Sequence, residues 1–143
     1  VRIQCYYTAD DMRKSNAKEA LKIFKECVAA YDDYVQKRKT GETDETLEDD
    51  EIALAPKALV AQVAILLGLG EEKEALEIYD RVFTFASVIS EYDFRSNIIS
   101  VLNAAKELGS KTKIGAAIKV FEKTLESLEK LNNSSLWDET SFR

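Results

Sequence analysis

Four cations in two short segments are the residues best suited to bind a ligand. Lys37, Arg38 and Lys39 follow one another, and Lys57 lies beyond an acidic stretch. Lysine is a compact charge that binds phosphate, and arginine binds phosphate or carboxylate through paired hydrogen bonds. If the two segments meet in the fold, they form a small cationic patch for a phosphate or an acidic partner. The alternative interpretation is structural, because cations in the last turn of a helix offset its macrodipole.

The stretch between these cations has the most unusual composition in the chain. Residues 42–51 hold seven carboxylates in ten positions. A calcium loop needs a glycine at its sharp turn, and residues 44–51 contain none. Polar runs of like charge stay disordered because they cannot bury apolar surface. We therefore predict an acidic, flexible insertion at 40–51 and no metal site.

Several kinds of catalytic chemistry are excluded by composition. The chain has no histidine and two cysteines, so a histidine-based triad and a Cys/His zinc site cannot form within it. No nucleophile elbow, P-loop or dinucleotide fingerprint occurs. The basic run is too small to indicate nucleic-acid binding. The sequence thus predicts a binding protein, not an enzyme, with no catalytic residue and no required cofactor.

The cysteines and the longest apolar stretch indicate a protein of a reducing compartment that does not cross a membrane. Cys5 and Cys27 stand without a dense cysteine framework, so we interpret them as small buried apolar residues instead of a disulfide. Residues 52–70 are apolar but broken by Lys57 and short for a membrane span. This stretch is predicted to be a buried helix.

Long segments and few turns predict an all-α protein. Glycine and proline number five and one in 143 residues, well below the usual share. One pattern recurs three times, with a small residue followed four positions later by an aromatic one on the same helix face. The three pairs are Ala20 with Phe24, Ala75 with Tyr79, and Ala117 with Phe121.

The repeat predicts a single helical-repeat domain over 1–143, built as a TPR-like α-solenoid of about three helical hairpins. The first helices are expected at about 3–13, 52–68 and 92–108, and the second helices at about 16–38, 71–89 and 113–132. A further helix is expected near Leu136. Because the sequence starts without methionine, we expect an excerpt from a longer chain.

Boundary residues agree with these helices. Asn16 is a candidate N-cap, and Gly68 and Gly70 bracket a turn. Gly109 is expected to end the fifth helix as a C-cap. Pro56 fits the first turn of the third helix, since proline is tolerated only there.

The order of features along the chain resembles the N-terminal helical repeats of the PCI-domain scaffold subunits of the COP9 signalosome, a family with a related member in the proteasome lid. The resemblance spans almost the whole sequence and is dispersed. It rests on Tyr6-Tyr7, on 17–21 with Phe24, on 57–59, on Tyr79 with 83–85, and on 95–99, 121–128 and 136–140.

This resemblance implies a non-catalytic scaffold in the nucleus and cytoplasm. Its partners would be other signalosome subunits and cullin-RING ubiquitin ligases, contacted at the cullin C-terminal region and the RING protein, for removal of a ubiquitin-like modifier by another subunit. Inositol hexakisphosphate can bridge that contact in the family. Lys57 aligns with a cation of the family's patch, Val60 stands where the family has a lysine, and Lys37, Arg38 and Lys39 are candidate replacement charges.

Two alternatives remain open at the level of sequence. One is a structural segment of the proteasome-lid type that packs only against sister subunits. The other is a free-standing TPR adaptor that holds a peptide tail in its groove. The adaptor needs lysine and asparagine around a terminal carboxylate, and Asn97 and Asn103 are its candidates.

Overall fold

The structure is a computed structural model that describes residues 5–111 and 113–133. All regular structure in these ranges is helical, which confirms the predicted all-α class. The helix predicted near Leu136 lies outside the described residues. The helices are α1 (Cys5–Met12), α2 (Ala17–Thr40), α3 (Asp49–Ile52), α4 (Leu54–Gly68), α5 (Glu72–Val82), α6 (Glu91–Ser110) and α7 (Ile114–Asn132), with a 3-10 turn at Phe83–Phe85.

Helix α4 forms the centre of the core. Of its 15 residues 12 are buried, and α1, α2, α5 and α6 all contact it. The stretch Asp49–Gly68 is long and apolar enough by composition to cross a membrane, and 72% of its most apolar window is buried inside the fold. Packing on all sides explains a helix that is apolar all round, in agreement with the predicted buried helix.

The helices form three adjacent pairs, α1 with α2, α4 with α5, and α6 with α7, and α7 also contacts α5. Two ion pairs show that α2 and α5 run parallel, because Lys25 pairs with Glu74 at 3.0 Å and Asp32 with Arg81, both 49 residues apart. Such exposed pairs contribute little energy each, so they report the geometry. Helix α5 is linked to α7 in the same direction by Glu72–Lys119 and Asp80–Lys123.

A buried hydrogen bond also joins α5 to α7. The hydroxyl of Thr124 donates to the carbonyl of Val120 at 2.8 Å, so the Tyr79 hydroxyl is the donor to Thr124 Oγ1 at 2.6 Å. Burial raises the pKa of Tyr79 to about 12, against a smaller lowering by the bond to Thr124. The neutral phenol is therefore the form that the fold stabilises.

Most predicted helix boundaries agree with the structure. Asn16 caps α2 and accepts from the Glu19 amide at 3.2 Å, and Pro56 lies in the first turn of α4. Gly109 is not the C-cap that we predicted, because α6 continues through it to Ser110. A Cβ at Gly109 would meet the Cβ of Ala117 at 3.3 Å, so this glycine allows the close approach of α6 and α7.

Helix α5 ends seven residues before the predicted boundary at 89. Phe83 packs against Tyr79 and Phe94, whereas Phe85 packs against Tyr31. Residues two apart on an α-helix point to nearly opposite sides, so the 3-10 turn permits both phenylalanines to be buried. The Thr84 hydroxyl donates to the carbonyl of Arg81 at 2.6 Å and satisfies one end group of α5.

The third repeat of the small-then-aromatic pattern differs from the first two. Ala20, Phe24, Ala75 and Tyr79 are all fully buried, but the third aromatic residue, Phe121, is 41% exposed. Val120 and Thr124 are buried on α7 in its place. The third pair of the repeat therefore does not bury its aromatic residue as the first two pairs do.

The two cysteines are paired. Cys5 in α1 and Cys27 in α2 form a disulfide, with their Cα atoms 6.2 Å apart. Our interpretation of two separate buried thiols was wrong, because the antiparallel α1–α2 hairpin brings residues that are 22 positions apart to one level of the pair. Sequence spacing alone gave no framework that would indicate this pairing.

Replacement of Tyr79 by phenylalanine tests the buried link between α5 and α7. We expect Tyr79→Phe to lower the free energy of unfolding by about 1 kcal/mol at neutral pH, because Thr124 loses a donor. The raised pKa stabilises the wild type below pH 10, and this contribution is lost as pH rises towards 12. Urea unfolding of both proteins should show the difference shrinking over that interval. Tyr92→Phe, at a phenol that is largely exposed, is the control, and an equal effect there would contradict this account.

Candidate functional site

The predicted cations at the end of α2 are engaged with their own chain. Lys37 forms an ion pair with Asp33 at 3.1 Å, one turn earlier, and Arg38 donates to the backbone carbonyl of Glu45 at 3.0 Å. Lys39 is exposed in the same last turn. Their position fits the structural interpretation, in which cations offset the dipole at the helix C-terminus.

The acidic segment 40–51, whose flexibility stays a prediction, contacts α2 through hydrogen bonds. The Tyr34 hydroxyl donates to the carbonyl of Glu45 at 2.9 Å, and the amide of Leu47 donates to that hydroxyl at 3.4 Å. Leu47 is buried in a small cluster with Leu54. The prediction for this segment rested on its carboxylates and took no account of Leu47. This leucine gives the segment an apolar contact that a fully polar run lacks.

A cavity of about 760 Å³ lies between α2 and the acidic segment. One lysine, Lys37, lines it together with the carboxylates of Glu26, Asp33, Glu42 and Glu45. Carboxylates outnumber cations here, so the lining repels a phosphate or another anion. Lys57 does not line this cavity, and the two predicted cationic segments therefore do not form one pocket.

Lys57 lines a different groove, formed by α1, α4 and α6. The groove has a volume of about 480 Å³ and includes Arg13, which follows α1, as a second cation. Asn97 and Asn103 from α6 face the same space. The structure thus brings together the predicted cation of α4 and the two asparagines of α6, and adds an arginine that sequence reasoning missed.

Asn97 is the most informative residue of this groove. The residue is only 5% exposed, and its side chain makes no hydrogen bond among the described residues. Every fully buried side-chain nitrogen or oxygen in that part of the chain has a partner. The amide must therefore reach the groove surface, where water or a ligand supplies its hydrogen bonds.

The charges of the groove favour an anion. Arg13 is oriented by Asp10 at 3.4 Å and by the ring of Phe24 at 5.9 Å, and both contacts leave part of its planar guanidinium to the groove. Lys57 has no ion pair within the described residues. The one lining carboxylate, Glu107, pairs with Lys111 at 3.3 Å.

The sequence indicates some of the residues of this groove and not others. Asn97 is a polar residue on the buried face of α6, between Phe94 and Val101, and a polar residue at a core position is a usable signal. Arg13 gave none, because its place depends on how α1 packs. Among residues 5–111 and 113–133 no group of three or more histidine, cysteine, aspartate or glutamate side chains could hold a metal.

Comparisons of the chain with protein-family models, with curated proteins and with solved structures find no match. The chemistry of the groove is therefore interpreted from its own residues. Two cations, two amides and an apolar wall suit an acidic or carboxylate-bearing segment of a partner.

The path of the acidic segment depends on Leu47, which can be tested by substitution. We expect Leu47→Ala to lower the free energy of unfolding by about 2 kcal/mol and to increase cleavage within 42–51 by a glutamate-specific protease. Limited proteolysis followed by mass spectrometry measures the cleavage rates. Thr46→Ala, at an exposed neighbour, is the control. Equal rates in all three proteins would favour the flexible insertion that the sequence predicts.

Proposed function

We propose that this chain is a non-catalytic helical scaffold domain of the COP9 signalosome type, similar to the N-terminal repeats of the signalosome's second subunit. Its three hairpins act as TPR-like repeats that dock cullin-RING ubiquitin ligases. The parallel course of α2, α5 and α7, linked by ion pairs between successive hairpins, supports the repeat interpretation, because stacked hairpins place their second helices side by side.

The groove between α1, α4 and α6 is the observation that carries the proposed docking role. Arg13 and Lys57 supply positive charge, and Asn97 supplies an amide whose hydrogen bonds are left to water or ligand. An acidic segment of the cullin C-terminal region or of the RING protein is the partner of complementary charge. Inositol hexakisphosphate, as a bridging anion, would use the same cations.

The proposed location is the nucleus and the cytoplasm, with other signalosome subunits as further partners. The Cys5–Cys27 disulfide is the feature that fits this location least, since both compartments keep protein thiols reduced. The absence of histidine from the sequence supports a binding role, because the common general acid-base residue is missing.

Binding of purified cullin-RING complexes to the immobilised chain tests the proposal. We expect Lys57→Glu to weaken binding about tenfold, equivalent to about 1.4 kcal/mol, because it places a negative charge in the groove. Raised salt should weaken wild-type binding as well. Lys73→Glu makes the same charge change at an exposed position of α5 outside the groove and should bind like the wild type.

Equal binding by the wild type and Lys57→Glu would contradict docking through the groove. Inositol hexakisphosphate added to the same assay should strengthen wild-type binding more than that of Lys57→Glu. Recovery of proteasome-lid particles instead of signalosome particles from cell extract would favour the structural alternative.

The groove also supports a second candidate function, a TPR adaptor that holds the end of a peptide. Lys57, Asn97 and Asn103 line one space, as the adaptor interpretation requires, and a terminal carboxylate can accept from the ammonium and from both amides. We expect an acidic peptide with a free C-terminus to bind at least tenfold more tightly than its amidated form, measured by fluorescence anisotropy. Equal affinity for the two peptides would exclude this candidate and leave cullin docking intact.

A further inference from the structure

Four large apolar side chains are exposed in a row on α7. They follow one another at intervals of four, three and four residues, which places them on one face of the helix. Leu125 is 71% exposed and the other three are between 41% and 59% exposed. The row, called here the α7 stripe, consists of Ile114, Ile118, Phe121 and Leu125.

The α7 stripe is distinct from the face by which α7 packs into the fold. That packed face contains Ala117, Val120, Thr124, Ser127 and Leu131, all of them buried. The two faces are about a quarter to a third of a turn apart on the helix. A contiguous exposed apolar row of this kind marks an interaction surface, whereas single exposed apolar residues need no explanation.

We propose that the α7 stripe pairs with the α7 stripe of a second copy of this chain, with the two helices antiparallel around a two-fold axis. The intervals of four, three and four residues are symmetric about the midpoint between residues 119 and 120. An antiparallel pair centred there places Ile114 opposite Leu125 and Ile118 opposite Phe121 in both halves. Intervals of three and four are also those of a coiled-coil seam, and a two-fold interface requires such self-complementarity.

Charge along α7 favours the same orientation. The register centred between residues 119 and 120 places Lys113 opposite Glu126 of the second copy, and both residues are exposed. Within its own helix Glu126 also pairs with Lys130 at 3.1 Å. An antiparallel pair brings each lysine towards the acidic end of the partner helix and also opposes the two helix dipoles, whereas a parallel pair places like charges together.

Sedimentation of the full chain over about 1 μM to about 1 mM tests this pairing. We expect a monomer–dimer equilibrium for the wild type. Ile118→Glu should abolish the dimer without loss of helix content, because the site is exposed in the monomer. Val88→Glu is the matched control, since Val88 is 48% exposed and Ile118 is 49% exposed, and it should dimerise normally.

Orientation is tested by complementary charges. Ile118→Glu and Phe121→Lys should each be monomeric, and a mixture of the two should dimerise, because residue 118 faces residue 121 only when the helices are antiparallel. A parallel pair would place residue 118 against residue 118, and mixing would rescue nothing.

Three results would overturn the proposal. They are a wild type that stays monomeric over the whole range, a dimer that survives Ile118→Glu, and a mixture of the two charged variants that stays monomeric. A monomeric wild type would mean that a second copy of this chain does not cover the α7 stripe. None of these outcomes bears on cullin docking, because no residue of the stripe lines the groove of Lys57.

Discussion

Burial of α4 on all sides is the constraint on which the rest of the structure depends. Twelve of its 15 residues are buried, and each large apolar side chain gains about 1.5–3 kcal/mol from burial. No single neighbour can cover a helix of this kind, so α2, α5 and α6 must all be in place before that energy is realised. The surrounding helices therefore form cooperatively, and each needs an apolar face on only one side.

This arrangement decides where the molecule can bind a partner. The charged residues lie on the outer faces of the helices, and ion pairs between neighbouring helices, such as Lys25–Glu74 and Lys123–Asp80, use part of that charge internally. A partner can therefore bind where the packed helices leave a groove between them, or at the last helix of the set. The groove lies between α1, α4 and α6, and the packing ends at α7, whose second apolar face remains between 41% and 71% exposed.

Local signals in the sequence predicted most helices correctly. Features that depend on contacts between distant residues could not be predicted from the sequence. The cap at Asn16, the proline in the first turn of α4 and the course of α7 all follow from short-range rules. The early end of α5 does not, because it depends on Phe83 and Phe85 finding separate partners. The same holds for the groove. Lys57 was a candidate from the sequence, whereas Arg13, the second cation of the groove, is placed there by the packing of α1.

The position of Lys57 explains why it, and not the cluster at the end of α2, is the stronger ligand-binding candidate. Packed neighbours occupy most of the surface of α4, so its one charged residue can lie only where the packing opens, beside Arg13. A cation carried by a rigid core helix loses less freedom on binding than one at a helix end. Lys37 and Arg38, by contrast, already bind Asp33 and the carbonyl of Glu45. A partner would have to displace those contacts, whereas in the groove it meets a lysine without an ion pair among the described residues and an asparagine whose side-chain amide has no hydrogen bond to them.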